Sequence, residues 1–256
     1  MKDTDCDTCF KAFNVLCEEL DLVGVVVIEE TRDRVLQRYR REVKRVGRLR
    51  FLDVVAFRAY YKLALSAADT AWEEQRQREL VARYPEAPQT VPIHFTPSPN
   101  APATAEFIRA CAPDLVLARC KTLLKPEVFS IPPNGTFVMH PGACPEYRNA
   151  HGAFWALANG ERDKAVMSLL RIDRGVDTGP VFGFFGYDID EKRESHIVIQ
   201  NRIVFDNLDA IARVLQEIHA GTAQPIDACG RKSAAWGQPW LTSYLKWKLR
   251  AARRAR

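Results

Sequence analysis

His140-Pro-Gly-Ala-Cys-Pro-Glu-Tyr-Arg-Asn-Ala-His151 and, further on, Gly175-Val-Asp-Thr-Gly-Pro180 decide the reading of this chain. A histidine among prolines and a glycine cannot lie inside a helix, because proline removes a backbone donor and restricts its predecessor. The run before it, Gly135-Thr-Phe-Val-Met139, is β-branched and aromatic and reads as a short buried strand, so His140 falls at that strand's C-terminal end. Ligands bind there in open α/β sheets. Ala153, Phe154, Trp155, Leu157 and Ala158 make an apolar helical stripe stopped by Asn159-Gly160. Residues 165–172 read as another strand, and Asp177 follows on a turn. An imidazole and a carboxylate on two Gly/Pro-rich loops are the groups that proton transfer requires.

Working outward, Leu22-Val-Gly-Val-Val-Val-Ile28 reads as a buried strand, preceded by a helix-like segment, Thr8 to Leu20. A long helical region runs from about Arg34 to Tyr84, interrupted near Gly47. The proline-dense stretch Pro85 to Pro102, around a short strand at Val91 to Phe95, is the clearest boundary. A helix at Ala103 to Ala110, a strand at Leu115 to Ala118 and a helix from Ser195 to Ala220 complete the pattern. Alternating strands and helices predict an α/β fold with a Rossmann-like, mostly parallel sheet flanked by helices, carrying a helical insertion. The expected organisation is one α/β domain over residues 1–221, with the insertion at about 34–84, and a C-terminal extension over 222–256 with a basic tail.

The 256 residues are 47% hydrophobic and 27% charged, enough for one well-buried core. No apolar run approaches the ~20 residues that span a bilayer, and the start lacks a signal-peptide core, so a cytoplasmic protein is expected. Seven scattered cysteines do not form a secreted disulfide framework. Cys6-Asp-Thr-Cys9 has no second ligand pair at a suitable spacing, and no metal is expected. Cys144, in the His140 loop, is open to two readings, an apolar wall or a histidine-activated nucleophile. Of the net charge of +5, the segment Lys246 to Arg256 contributes six Lys/Arg and no acid, leaving a nearly neutral body. With Trp240, Tyr244 and Trp247 ahead of them, these cations suit a solvated helix that packs its aromatic side on the body, or a basic amphipathic helix for an anionic partner.

His140-Pro-x-x-x-Pro-x-Tyr147-Arg148, then Trp155-Ala-Leu157, then Asp177-Thr-Gly-Pro180 resemble the 10-formyltetrahydrofolate-dependent formyltransferase family, over Leu20 to about Gly221. The resemblance implies the formyltransferase fold, 10-formyltetrahydrofolate as co-substrate, and transfer of a formyl group to an amine. It assigns the chemistry to His140 and Asp177, and the pterin slot to Thr122, Leu123 and Leu124 on one side and Asp173 to Asp177 on the other. The family's Asn-x-His asparagine falls on Val138, which cannot donate a hydrogen bond. Asn149 and His151 are the candidates to replace it, against structural readings of Asn149 as a helix N-cap and of His151 as a structural hydrogen-bonding group. The strand with which relatives begin is not found ahead of the first helix.

Formyl transfer passes through a tetrahedral intermediate whose oxyanion needs a positioned donor, while the amine and leaving nitrogen exchange protons. His140 suits the first task and Asp177 the second. The expected partner is a small-molecule amine, with nucleotide-linked amino sugars favoured by the resemblance; nucleic acid is disfavoured, and a homodimer is left open. Other one-carbon or hydrolytic chemistry on the same fold, and a non-catalytic folate- or partner-binding protein, are the competing classes.

Overall fold

The structure, a computed structural model, describes residues 20–29, 32–83 and 91–254. The helix-like segment Thr8 to Leu20, apart from its last residue, and the Cys6–Cys9 pair lie outside them. Strand β1 (Val25–Ile28) is followed by helices α1 (Arg32–Val46), α2 (Arg48–Tyr60) and α3 (Ser66–Arg83), a π-helical turn at Tyr61–Leu65 joining the last two. Then come β2 (Ile93–Thr96), α4 (Pro102–Cys111), β3 (Val116–Ala118), the one-turn α5 (Pro126–Phe129) and β4 (Thr136–Pro141). β5 (Arg148–Asn149), α6 (Gly152–Asn159), β6 (Met167–Arg171), β7 (Val181–Phe185), α7 (His196–Phe205), α8 (Leu208–His219), β8 (Ala235–Trp236) and α9 (Leu241–Arg254) complete the chain. The helical region breaks at Gly47, whose φ of 80° ends α1.

The fold is α/β. β1 pairs with β2 in parallel, and β3 with β4 in parallel, whereas β4–β6 and β6–β7 are antiparallel. The chain leaves β4 at Pro141 and re-enters the sheet beside it, with Met167 opposite Pro141. Val26 of β1 and Val116 of β3 pack on the same small cluster around Ala105 and Ile108 of α4.

One face of β4 and β6, with Phe137, Met139, Met167 and Leu169, is sealed by Ile199 and Ile203 of α7 and by Ile211 and Leu215 of α8. Each fully buried aliphatic of this kind contributes roughly 2 kcal/mol. The continuous helix expected from Ser195 to Ala220 is two helices. Ser195 caps the first by accepting from the Ile197 and Val198 amides at 3.2 and 3.1 Å. Asp206 and Asn207 break the run, with Asn207 Nδ2 donating back to the Ile203 carbonyl at 2.8 Å. α9 buries Tyr244, Trp247 and Ala251 at helical spacing, so the aromatic side of the basic tail packs on the body. No helix among the described residues is long and apolar enough to cross a membrane.

Candidate active site

Because side chains alternate along a strand, His140 shares a face with Val138, away from the α7–α8 core. The His140 ring is 5% exposed. Its Nε2–H donates to the Tyr147 carbonyl at 2.6 Å, and Nδ1 lies 3.4 Å from Asp177 Oδ2. Both nitrogens therefore face oxygens. The same Asp177 oxygen accepts the Asn149 amide at 2.8 Å. Asp177 holds a left-handed backbone, φ 50°, which a short polar side chain tolerates better than most. β6 ends opposite the beginning of β4, Arg171 facing Phe137, so the loop after it folds back across the sheet face to bring Asp177 to His140.

The loop 142–149 is fixed from beneath by Ser168 of β6. Its fully buried hydroxyl donates to the Gly142 carbonyl at 2.6 Å and accepts the Cys144 amide at 3.0 Å. Gly152 makes the close approach possible. A Cβ there would stand 2.5 Å from the Tyr147 carbonyl oxygen that His140 uses. The Tyr147 hydroxyl donates to Glu161 at 2.9 Å, anchoring the other end of that residue.

Of the residues singled out in the sequence, His140, Asp177 and Asn149 meet, the last through its backbone. The Asn149 side chain turns the other way and donates to the Trp236 carbonyl. It is not an N-cap, since α6 begins at Gly152 behind His151. The His151 ring lies 5.9 Å from that of His196, whose complete burial holds it well below the ordinary histidine range. Val138 packs against Cys144, Leu170 and Val181. Cys144 is 1% exposed, and burial, then the Asp177 charge, push its thiol up to about 12, so the thiolate that nucleophilic attack requires is suppressed. Leu124 is buried and Leu123 exposed, and the Leu123 carbonyl accepts Asn100 Nδ2 at 2.9 Å. Asp173 Oδ1 accepts the Gly175 amide at 2.9 Å and the Thr178 hydroxyl at 2.6 Å, closing its loop. Sequence reasoning missed Ser168, Gly152 and the C-terminal pairing of β8 with β5; of these, only the glycine following His151 carried a visible signal.

A family model described as formyl transferase matches residues 53–215, more than half of the chain and both loops of the site. The chain belongs to the formyl transferase family. Methionyl-tRNA formyltransferase from Thermus thermophilus is 32% identical over 146 residues, 57% of this chain and 47% of that protein. The enzyme of the same name from Trichlorobacter lovleyi is 36% identical over 92 residues, 36% of this chain and 29% of that one. This formyl transferase family member thus spans about half the length of the curated relatives it matches. A sugar N-formyltransferase structure from a Shewanella species aligns with a TM-score of 0.48 at 15% identity, covering 62% of this chain and 67% of that one.

Proposed function

We propose that this chain transfers a formyl group from 10-formyltetrahydrofolate to the amine of a small acceptor, a nucleotide-linked amino sugar being the class favoured. The observation that carries the reading is the His140–Asp177 pair at the end of β4, its carboxylate also held by the Asn149 amide. The residues fit a folate. Each loop assigned to the pterin slot presents an exposed apolar side chain, Leu123 in one and Val176 in the other, suited to the faces of a flat ring. Main-chain groups of Thr122 to Leu124 and of Asp173 to Asp177 would hold its polar edge.

When bound, the folate supplies a formyl carbon open to amine attack. Asp177, held by the Asn149 amide, takes the proton that the attacking nitrogen releases and would return it to the folate nitrogen as that nitrogen's bond to the formyl carbon breaks. His140 lies against that carboxylate through Nδ1 and stabilises negative charge there and on the developing oxyanion. Its Nε2 proton is committed to Tyr147, so only the Nδ1 side serves the reaction. With Val138 in an apolar cluster, the Asn149 side chain on β8 and His151 beside His196, the replacement donor is best sought in a loop backbone amide or water.

Titration with 5-formyltetrahydrofolate, followed by calorimetry and thermal unfolding, tests the reading. At 100 times Kd the gain in stability is about 2.7 kcal/mol. A folded protein with no heat of binding and no shift at millimolar ligand would overturn it. Mass analysis of candidate amino sugars after incubation with 10-formyltetrahydrofolate then identifies the acceptor by the added formyl group.

A further inference from the structure

The Tyr147 carbonyl and the Asn149 amide fix His140 and Asp177, and both lie on a stretch overlaid by the segment Arg231 to Gly237. The Arg148 amide donates to the Ala234 carbonyl at 3.0 Å, and the Ala234 amide to the Pro145 carbonyl at 3.1 Å. Arg231 makes a two-bond ion pair with Glu146 at 3.0 and 2.6 Å. The Trp236 indole donates to the Glu146 carbonyl at 2.9 Å, and its ring is stacked between Tyr147, 5.5 Å away, and Trp155, 4.9 Å away. Trp236 also receives the Asn149 side chain on its carbonyl, and Trp155 donates to the Gly237 carbonyl at 2.8 Å. Residues on both sides of each backbone group that touches the pair are therefore tied to one segment, which lies beyond the family match ending at residue 215.

We propose that residues 231–237 form a positioning strap for the His140–Asp177 pair, with Trp236 and Arg231 as positioning residues that act through Tyr147 and Asn149. The inference rests on the formyl-transfer reading only for its effect on turnover; the geometry it controls exists without substrate. The strap sits at the rim, with Arg231 partly exposed and Trp236 only partly buried where it packs against the margin of the core that α7 and α8 close. Its loss should therefore disturb the pair before the fold. Misplacement of reacting groups by ~1 Å costs about 100-fold in rate.

The test uses the full chain with labelled histidine and tryptophan, in which nuclear magnetic resonance follows the His140 Nε2 proton. Held by a buried carbonyl, this proton should exchange slowly. In Trp236→Ala and Arg231→Gln its exchange should quicken by roughly tenfold or more, while the Trp247 indole proton, bonded to Glu191 at 2.7 Å, exchanges as before. Trp236→Phe, which keeps the stack and loses the bond to Glu146, should fall between. With 10-formyltetrahydrofolate and water as acceptor, kcat for release of formate should fall by about tenfold or more with KM within about twofold. Unchanged His140 exchange in both variants overturns the strap. If Trp236→Ala does not fold, Arg231→Gln decides the matter. If the wild-type protein neither binds nor consumes the folate while the exchange moves as expected, the functional reading fails and the strap stands.

Discussion

The two loops that meet at His140 are held by opposite means. Loop 142–149 is tied to distant parts of the chain, to Ser168 below it and to Arg231, Ser233 and Trp236 above it. The loop after β6 is shaped largely by its own Asp173, with Arg148 reaching over to the Val176 carbonyl at 2.8 Å. Long-range ties make a group rigid relative to the core, whereas local ties preserve a loop's shape and let it move as a unit. The difference places preorganisation on the histidine side and makes the carboxylate side depend on it, since the Asn149 amide holds Asp177 and Arg148 holds the Val176 carbonyl.

The largest effect should come from the pair itself. His140→Ala and Asp177→Asn are each expected to lower formyl transfer by about 100-fold or more, with the Kd for 5-formyltetrahydrofolate changed little. If the pair acts as the unit proposed, the double variant should be little worse than either single one. Steady-state rates with calorimetric Kd values check this. Additive losses would mean that each loop contributes independently, and the contrast between them would lose its catalytic meaning.

Next in size is the tie beneath the rigid loop. Ser168→Ala leaves the Gly142 carbonyl and the Cys144 amide without their buried partner, at a cost of about 1–3 kcal/mol. In a chain of this length each kcal/mol lowers Tm by roughly 2–4 °C. Calorimetric unfolding measures the fall, and an unchanged Tm would show that loop 142–149 is not held from below.

Much of this was legible in the sequence, for identifiable reasons. His140 and Asp177 stood out because proline and glycine keep them out of helices, beside β-branched runs, although His140 is a residue of β4 and not of the loop after it. The α/β class followed from the alternation of those runs with helical stripes. The antiparallel pairing of β6 was hidden because periodicity identifies a strand without reporting its direction in the sheet. The break at Asp206–Asn207 was missed because the apolar pattern continues across it. The Tyr147 carbonyl and the Asn149 amide were invisible in principle, since backbone groups carry no residue identity. Residues 231–237 show no strand periodicity, their two-residue β8 being defined by its partner rather than by itself.

The smallest effect on stability, and the sharpest on the comparison, should come from Asp173. Among the described residues its carboxylate joins the Gly175 amide and the Thr178 hydroxyl, both within its own loop, and that loop lies at the surface. Asp173→Ala should therefore change unfolding free energy by no more than about 0.5 kcal/mol, the range of ordinary surface substitutions. Ligand affinity should respond more. If the two bonds together favour the closed loop by about 1 kcal/mol, their loss leaves the closed and open shapes about equally populated and weakens 5-formyltetrahydrofolate by roughly twofold. Calorimetry on the variant reads both quantities. A Tm loss as large as that of Ser168→Ala would mean that this loop is anchored to the core after all. Unchanged affinity with unchanged Tm would remove Asp173 from the folate side of the site, leaving Asp177 as that loop's contribution to the chemistry.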